Sequence, residues 1–260
     1  MSVASAGPGV TPPGPAAVPP GTPNPAAASL RPDLAGAARR LFGDRLDLAA
    51  AYAELLATDG VVRGLLGPRE APRIWDRHLL NCAAVAELIP PGVTVLDVGS
   101  GAGLPGLVLA IARPDIAVTL VEPLARRTAF LEEAVDELML TESVRVFHGR
   151  AEEAVAGPDP LRGEVVTARA VAPLDRLAGW CLPLTGTGGR LLALKGASAA
   201  VEVTEHAQAV HRLGGGTPIL HRCGAGIVDP PATVVEIVSE RTIGPVRRRS
   251  SSKQSRSRRR

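Results

Sequence analysis

The sequence predicts an α/β fold in which a Rossmann-like sheet of seven mostly parallel strands follows an N-terminal helical cap. Two patterns predict it. Leucines at helical spacing recur from residue 33 to about residue 89, and beyond residue 93 short Val, Leu and Ile runs alternate with helical stretches. Pro90-Pro91-Gly92 lies between the two patterns and therefore marks a domain boundary.

The cap pattern breaks at residues 64–72 and resumes as a helical run over residues 74–88. Beyond the cap, strands are expected near residues 93–98, 117–122, 144–148, 164–169, 190–195, 217–221 and 233–239, and helices near 104–112, 124–138, 173–182 and 198–213. The last two strands have only a Gly- and Pro-bearing loop between them. We therefore expect them to form an antiparallel hairpin at the sheet edge, with a reversed final strand.

Four segments are expected: a disordered Ala/Pro/Gly leader over residues 1–30, the cap over 31–90, the α/β domain over 91–241 and a disordered Arg/Ser-rich tail over 242–260. The leader has no charged residue before Arg31, unlike a secretory signal, and no later run is long and apolar enough to span a membrane. Three scattered cysteines and five histidines show no metal-ligand spacing. These features predict a cytoplasmic protein without a bound metal.

Composition excludes one class of binding surface. Hydrophobic residues make up 45% of the chain, enough for a sizeable core, but aromatic residues only 2%, which excludes a sheet that stacks bases on rows of aromatics. Residues 247–260 hold eight bases and no acid, while the rest of the chain is formally acidic. Two interpretations of this tail stay open: an electrostatic tether to phosphate backbones, or a solvated terminus.

The most informative segment is the loop after the first expected strand, where the sequence reads Val95-Leu96-Asp97-Val98-Gly99-Ser100-Gly101-Ala102-Gly103-Leu104-Pro105-Gly106. Glycines here allow a tight turn and a close approach to a ligand, and Pro105 opens an expected amphipathic helix. The spacing Gly101-x-Gly103-x-x-Gly106, with Glu122 about twenty residues on, also fits a dinucleotide site.

Asp97 distinguishes a dinucleotide cofactor from S-adenosylmethionine. We expect its carboxylate at the mouth of the strand, where it would repel a pyrophosphate but suit the sulfonium and ammonium of S-adenosylmethionine. A sheet with a reversed final strand is also the architecture of class I methyltransferases, whereas a dinucleotide fold needs a second run of β-α units. The sequence therefore predicts methyl transfer from S-adenosylmethionine.

Charged and glycine residues end nearly every expected parallel strand, where the ligands of open α/β sheets bind. Glu122 is placed to accept the ribose hydroxyls, although a solvated acid or a helix cap would look the same. The backbone N–H of Ala151 with the Glu152 side chain is placed to read the adenine edge, unless Glu152 only opposes a helix dipole.

Three basic residues are candidates for contacts beyond the adenosine. Arg169 directly follows an apolar strand, so its guanidinium is expected to have an anionic or ligand partner. Lys195 is the one lysine before the tail in an arginine-rich chain, which indicates a need for a compact ammonium or a chance surface residue. His78, on the last helix of the cap, reaches toward a substrate or forms an interhelix hydrogen bond.

Two absences narrow the acceptor atom. The chain has no Asp/Asn-Pro-Pro-aromatic sequence for gripping an exocyclic nitrogen, and no convincing catalytic cysteine for pyrimidine C5. A ring nitrogen with a free lone pair, such as guanine N7, needs neither device. Catalysis would then require in-line positioning and charge placement, without a general base.

Together these residues resemble the RsmG (GidB) family of bacterial 16S ribosomal RNA guanine-N7 methyltransferases, in an actinobacterial style. The matching blocks are Gly67 to Glu70, Ile74 to Asn81, Leu96 to Gly106, Arg150 to Glu153, Ala168-Arg169-Ala170 and Leu192 to Gly196. The resemblance implies methylation of a guanine in the decoding-centre loop of the small-subunit RNA. It also implies cofactor contacts at Gly99, Leu104, Ala151, Glu152 and Arg169, with Lys195 and Arg150 facing the RNA.

The expected partner is 16S ribosomal RNA or the small ribosomal subunit, bound by a monomer. Two rival hypotheses stay open. An oxidoreductase would use the same glycines to bind NAD, and a ribosome-assembly factor would bind RNA without catalysis.

Overall fold

A computed structural model describes residues 29–169 and 172–241. Within them, the chain forms seven strands that join into one sheet: β1 Thr94–Val98, β2 Ala117–Glu122, β3 Val144–His148, β4 Gly163–Arg169, β5 Thr185–Lys195, β6 Ile219–Cys223 and β7 Ala232–Val238. Almost all of the predicted leader, the whole basic tail and Ala170 lie outside the described residues.

The sheet has the strand order β3-β2-β1-β4-β5-β7-β6. Strands β3, β2, β1, β4 and β5 are parallel, and β7 pairs antiparallel with both β5 and β6. This confirms the predicted fold class, the edge hairpin and the reversed final strand. Because β1 and β4 are neighbours although β2 and β3 intervene in sequence, the strand order reverses there, and a crevice opens at their carboxyl ends.

Eight α-helices are described: α1 Ala35–Phe42, α2 Leu46–Leu55, α3 Leu80–Ala83, α4 Gly106–Ala112, α5 Ala125–Glu137, α6 Ala151–Ala156, α7 Leu174–Cys181 and α8 Ala199–Arg212. The expected helices did not include α6, although a helix start at Glu152 was one of the two alternatives for that residue. Its six residues are too few to show a helical period. It begins where the Glu153 carboxylate accepts the Arg150 backbone N–H at 2.7 Å, the second half of a capping box.

Successive side chains along the strands point alternately into two hydrophobic cores, one on each face of the sheet. Val95 belongs to the core shared with α4, α5 and the cap, whereas Leu96 belongs to the core shared with α6, α7 and α8. Cap residues such as Phe42 and Tyr52 are buried in the same cluster as Val95. The cap and the sheet therefore share one core, and a division between them at residue 90 stays a prediction.

The expectation of an amphipathic helix after the glycine loop is wrong. In α4, every residue from Gly106 to Ile111 is buried. The reason is the cap, because α1, α2 and α3 all contact α4 and cover the side that would otherwise face water. A helix that is apolar all round is typical of such a fully enclosed position.

Candidate cofactor site

The glycine loop, residues 99–105, connects β1 to α4 at the carboxyl edge of the sheet. Gly99, Gly101 and Gly103 have φ of 72°, 61° and 94°, in the left-handed region that side chains disfavour. The loop is tied to its neighbour β2, since the Gly99 N–H donates to the Val121 carbonyl at 2.9 Å. The predicted tight turn therefore forms beside the end of β2, where Glu122 lies.

Most N–H groups of this loop already have partners within the protein. The Gly101 N–H donates to Glu122 Oε2 at 2.9 Å, and the Gly106 N–H donates to Asp97 Oδ2 at 3.1 Å. The N–H groups of Gly103 and Leu104 both donate to the Ser100 carbonyl, at 2.7 and 3.1 Å. A dinucleotide loop instead presents such groups to a pyrophosphate. This donor set suits a nucleoside cofactor that has no phosphate.

Asp97 differs from its predicted position. Its side chain is 0% exposed and lies beneath the loop rather than at an open mouth. Oδ1 accepts the Thr167 hydroxyl at 2.9 Å while Oδ2 accepts the Gly106 N–H. Burial raises the pKa of Asp97 to about 6, although the hydrogen bonds from Thr167 and Gly106 lower it. In the structure Asp97 holds the start of α4 against β4, so any influence on a ligand acts through the loop.

Glu122 also serves the loop. Its carboxylate is buried, and besides accepting the Gly101 N–H it accepts the Leu124 N–H at 3.0 Å. Arg127 lies 3.8 Å from it. A carboxylate oxygen can accept more than one hydrogen bond, so these contacts are compatible with ribose recognition. The two alternatives in the sequence, ribose acceptor and local cap, are thus not exclusive.

The residues after β3 adjoin Glu122, because the Gly149 N–H donates to the Glu122 carbonyl at 3.1 Å. Ala151 is buried at the start of α6, and Glu152 and Arg150 are exposed. The structure therefore brings the expected adenine-reading pair to the same crevice as Glu122. It also leaves the Arg150 side chain exposed to solvent.

Arg169, at the end of β4, joins the sheet to the cap. One guanidinium nitrogen donates to Cys82 Sγ at 3.2 Å, and the other contacts His78 Nδ1. Within residues 29–169 and 172–241, Arg169 forms no ion pair with a carboxylate. The expected anionic partner is therefore not supplied by the described part of the chain.

His78 is held by side-chain partners within the protein, but not by the interhelix contact given as one alternative, because Glu70 lies in a turn and Arg169 ends β4. It is 5% exposed, and its Nε2 lies 3.0 Å from Glu70 Oε2. Burial and the charge of Arg169 lower the pKa of His78 to about 4, against the opposing effect of Glu70. The imidazole is therefore neutral near pH 7 and does not face an open substrate pocket.

The expectation that Lys195 faces RNA is wrong for the described structure. Its side chain is only 6% exposed. Nζ donates to Glu202 at 2.7 Å and to the Ala172 carbonyl at 2.6 Å. Glu202 in turn accepts the Leu174 N–H at 3.1 Å, so the pair joins β5, α7 and α8. A buried ammonium needs such partners. Lys195 therefore has a structural role, which its position at the end of a strand does not indicate.

Sequence reasoning also missed side chains that support the site. The Tyr52 hydroxyl, from α2, donates to the Ala102 carbonyl at 2.5 Å, and a Cβ on Gly103 would lie 2.8 Å from that hydroxyl. No local pattern singles out Tyr52, because its partner is fifty residues away. Cys82 could have been found, since it follows His78 by four residues and so lies on the same helical face.

A cavity of about 550 Å³ lies at the opposite end of the sheet, at the amino ends of β1, β4 and β5. Its lining includes Thr94, Glu164 and Arg190. Ligands of open parallel sheets bind at the carboxyl ends, so we do not assign the cofactor to this cavity. In the described ranges, no cluster of metal-ligating side chains occurs and no helix is long and apolar enough to cross a membrane.

Comparison with known proteins gives a consistent result. The model of the family described as rRNA small subunit methyltransferase G matches residues 45–226. A Salinispora tropica protein called ribosomal RNA small subunit methyltransferase G is 72% identical over 228 residues, which cover 86% of this chain and 94% of that protein. A protein of the same name from Salinispora arenicola is 68% identical over 241 residues, covering 92% of this chain and 99% of that protein.

Solved structures show the same fold at low sequence identity. The apo structure of the S-adenosylmethionine-dependent methyltransferase SibL aligns with a TM-score of 0.53 and 15% identity, covering 78% of this chain and 70% of that chain. This likeness concerns the architecture of the sheet and its helices. Together with the family match, it disfavours the oxidoreductase alternative.

Proposed function

This chain belongs to the rRNA small subunit methyltransferase G family of S-adenosylmethionine-dependent methyltransferases, and we propose that it methylates N7 of a guanine in the decoding-centre loop of 16S ribosomal RNA. The observation that carries the cofactor choice is the internal bonding of the glycine loop. Gly101 and Gly106 donate their N–H groups to the buried carboxylates of Glu122 and Asp97, so these two donors are not available to a pyrophosphate, and the negative charge behind the loop would repel it.

The cofactor residues form a continuous series around the crevice. The loop contributes Gly99, Gly101, Gly103 and Leu104 with Asp97 beneath it; β2 and α6 contribute Glu122, Ala151 and Glu152; and β4 contributes Arg169. When bound, S-adenosylmethionine supplies a methyl group on a cationic sulfur. The acidic carboxylates below the loop favour that positive charge, while Glu122 and the start of α6 orient the adenosine.

No residue of the proposed site is assigned as a general base. N7 of guanine carries a free lone pair, so methyl transfer to it removes no proton. The chain's task is to hold the guanine in line with the methyl group and to place charge around the purine. Arg150 is the exposed cation closest in sequence to the adenine-reading pair, so we assign it to the RNA side. Lys195 and His78 act within the protein.

We further propose a cytoplasmic monomer whose partner is 16S ribosomal RNA or the small subunit. The proposed cofactor site does not require a second chain, since every residue assigned to it lies at one edge of a single sheet.

The purified chain tests this function directly. We expect thermal protection by S-adenosylhomocysteine and none by NAD, because only a ligand of the native state raises its stability. With S-adenosylmethionine and small subunits from cells lacking the gene, the enzyme should produce N7-methylguanine in 16S RNA. Protection by NAD alone would contradict the cofactor assignment, and methylation of another atom would contradict the acceptor assignment.

A further inference from the structure

A chain of three side chains connects the cap to the end of β4. Glu70 Oε2 lies 3.0 Å from His78 Nε2, and His78 Nδ1 contacts the guanidinium of Arg169. Glu70 is partly exposed, His78 is 5% exposed, and Arg169 is partly buried at the carboxyl edge of the sheet. The chain therefore runs from the cap surface to the proposed cofactor crevice.

The hydrogen-bonding roles in this chain are determined by chemistry. Arginine can only donate, so His78 Nδ1 must carry its lone pair toward Arg169. Nε2 must then carry the proton, and it donates that proton to the Glu70 carboxylate. Burial and Arg169 keep the imidazole neutral near pH 7 by lowering the pKa of His78 to about 4. Glu70 thus selects the one tautomer that can accept a hydrogen bond from Arg169.

Within the described residues Arg169 forms no ion pair. Its charge lowers the pKa of the Asp97 carboxylate, but that carboxylate is fully buried and already accepts hydrogen bonds from Thr167 and Gly106. His78 is neutral, and burial raises the pKa of the Cys82 thiol, so this second partner is also uncharged. A partly buried guanidinium prefers a carboxylate, which it binds through two parallel hydrogen bonds. The one anionic group of S-adenosylmethionine is the carboxylate of its amino-acid part.

We infer that Glu70 and His78 are positioning residues that orient Arg169 to bind the carboxylate of the amino-acid part of the cofactor. This inference rests on the proposed function. Glu70 and His78 touch neither the cofactor nor the RNA in this arrangement, and act only through the guanidinium. The cap thereby contributes to cofactor selection although no cap residue contacts the ligand.

Two ligands separate this role from a general packing role. S-adenosylhomocysteine carries the carboxylate, and 5′-methylthioadenosine has the same adenosine and sulfur without the amino acid. The unmodified chain should bind S-adenosylhomocysteine more tightly. Arg169→Ala should lower that affinity by about 10- to 100-fold, as expected for a lost charged hydrogen-bond pair, and leave methylthioadenosine binding within about twofold.

Variants of His78 distinguish its two nitrogens. His78→Asn places an amide oxygen near the Nδ1 position and keeps the acceptor for Arg169, so it should retain most of the ligand preference. His78→Gln places its amide near Nε2 and loses that acceptor, so it should lower S-adenosylhomocysteine affinity by about tenfold. Glu70→Ala should resemble His78→Gln. Adding His78→Gln to Arg169→Ala should change nothing further, because both act on one contact.

Asp59→Ala is the matched control, since it removes another cap carboxylate that is paired with an arginine, Arg63, at 3.3 Å. It should leave both affinities unchanged, and thermal melting should confirm that each variant is folded. Equal losses for both ligands, or equal behaviour of His78→Asn and His78→Gln, would overturn the positioning role while leaving the methyltransferase assignment intact. Failure of the unmodified chain to bind S-adenosylhomocysteine would overturn the proposed function itself.

Discussion

The Tyr52 hydroxyl donates to the Ala102 carbonyl at 2.5 Å, so a helix of the cap holds the tip of the glycine loop from behind. Tyr52 is completely buried, and burial raises the pKa of its hydroxyl well above the ordinary value, which keeps the proton in place. The cap therefore helps to fix the conformation of the cofactor loop, besides covering α4.

Tyr52→Phe should remove this hydrogen bond while keeping the ring in the core. We expect a loss of about 1 kcal/mol in the free energy of unfolding, and about fivefold weaker binding of S-adenosylhomocysteine because the loop is less well ordered. Urea unfolding and calorimetric titration measure the two effects. Thr185→Val is the control: it removes a buried hydroxyl that donates to the Leu182 carbonyl at 2.8 Å, far from the loop. Equal loss of affinity in both variants would contradict the role of Tyr52.

Asp97 should make stability depend on pH in an unusual direction. The pKa of Asp97 is about 6 in the folded chain against 3.8 for an unperturbed group, so between these values the folded state binds more protons. Its contribution to stability is therefore present below pH 3.8 and is lost as the pH rises toward 6, by about 3 kcal/mol in total.

The variant Asp97→Asn cannot titrate and should lack this loss. Unfolding free energies of both proteins at pH 4.5 and pH 7.5 measure the difference, and the comparison cancels the titration of other groups, such as His78. Because the amide keeps only one of the two acceptors, the variant also weakens the bonds to Gly106 or Thr167 at both pH values. Parallel pH profiles would show that Asp97 titrates normally.

Lys195 should matter for stability and not for RNA contact. Lys195→Ala leaves the Glu202 carboxylate without its cation in a mostly buried position, which should cost about 2 kcal/mol. Glu202→Ala should cost a similar amount, and the double variant less than the sum, as expected for coupled residues. Methylation should then fall in parallel with the fraction of folded protein. If Lys195→Ala lost methylation at an unchanged melting temperature, the prediction would be contradicted and Lys195 would have a direct role at the substrate.

Arg150 should contribute to the affinity for RNA and not to the affinity for the cofactor. Arg150→Ala should reduce the slope of log affinity against log salt by about 0.7 to 0.9 on a 16S fragment, as for one lost phosphate contact, and leave S-adenosylhomocysteine binding unchanged. Arg162→Ala removes another exposed arginine, just before β4 and at the opposite end of the parallel strands, and should keep the original slope. Identical slopes for both variants would place the RNA elsewhere.

The fold was largely predictable because strand-helix alternation is a local property of sequence. The seven strands and the four helices predicted beyond residue 93 are confirmed, with β5 beginning earlier, at Thr185. Which charged residues stay exposed depends on partners far away in sequence. Lys195 was singled out as the one lysine before the tail and was expected to face RNA, yet its ammonium is bound by the Glu202 carboxylate and the Ala172 carbonyl. Asp97 lies beneath the loop rather than at the mouth of the strand, and its hydrogen bond from Thr167, seventy residues away, has no local sequence signal.

If this chain methylates N7 of one guanine in 16S ribosomal RNA, that methyl group should depend on the gene. Mass spectrometry of 16S RNA fragments from cells with and without the gene measures this dependence. We predict N7-methylguanine in the decoding-centre loop of cells that have the gene, its disappearance on deletion, and its return with the intact chain but not with Arg169→Ala. An unchanged N7-methylguanine level after deletion would contradict the account.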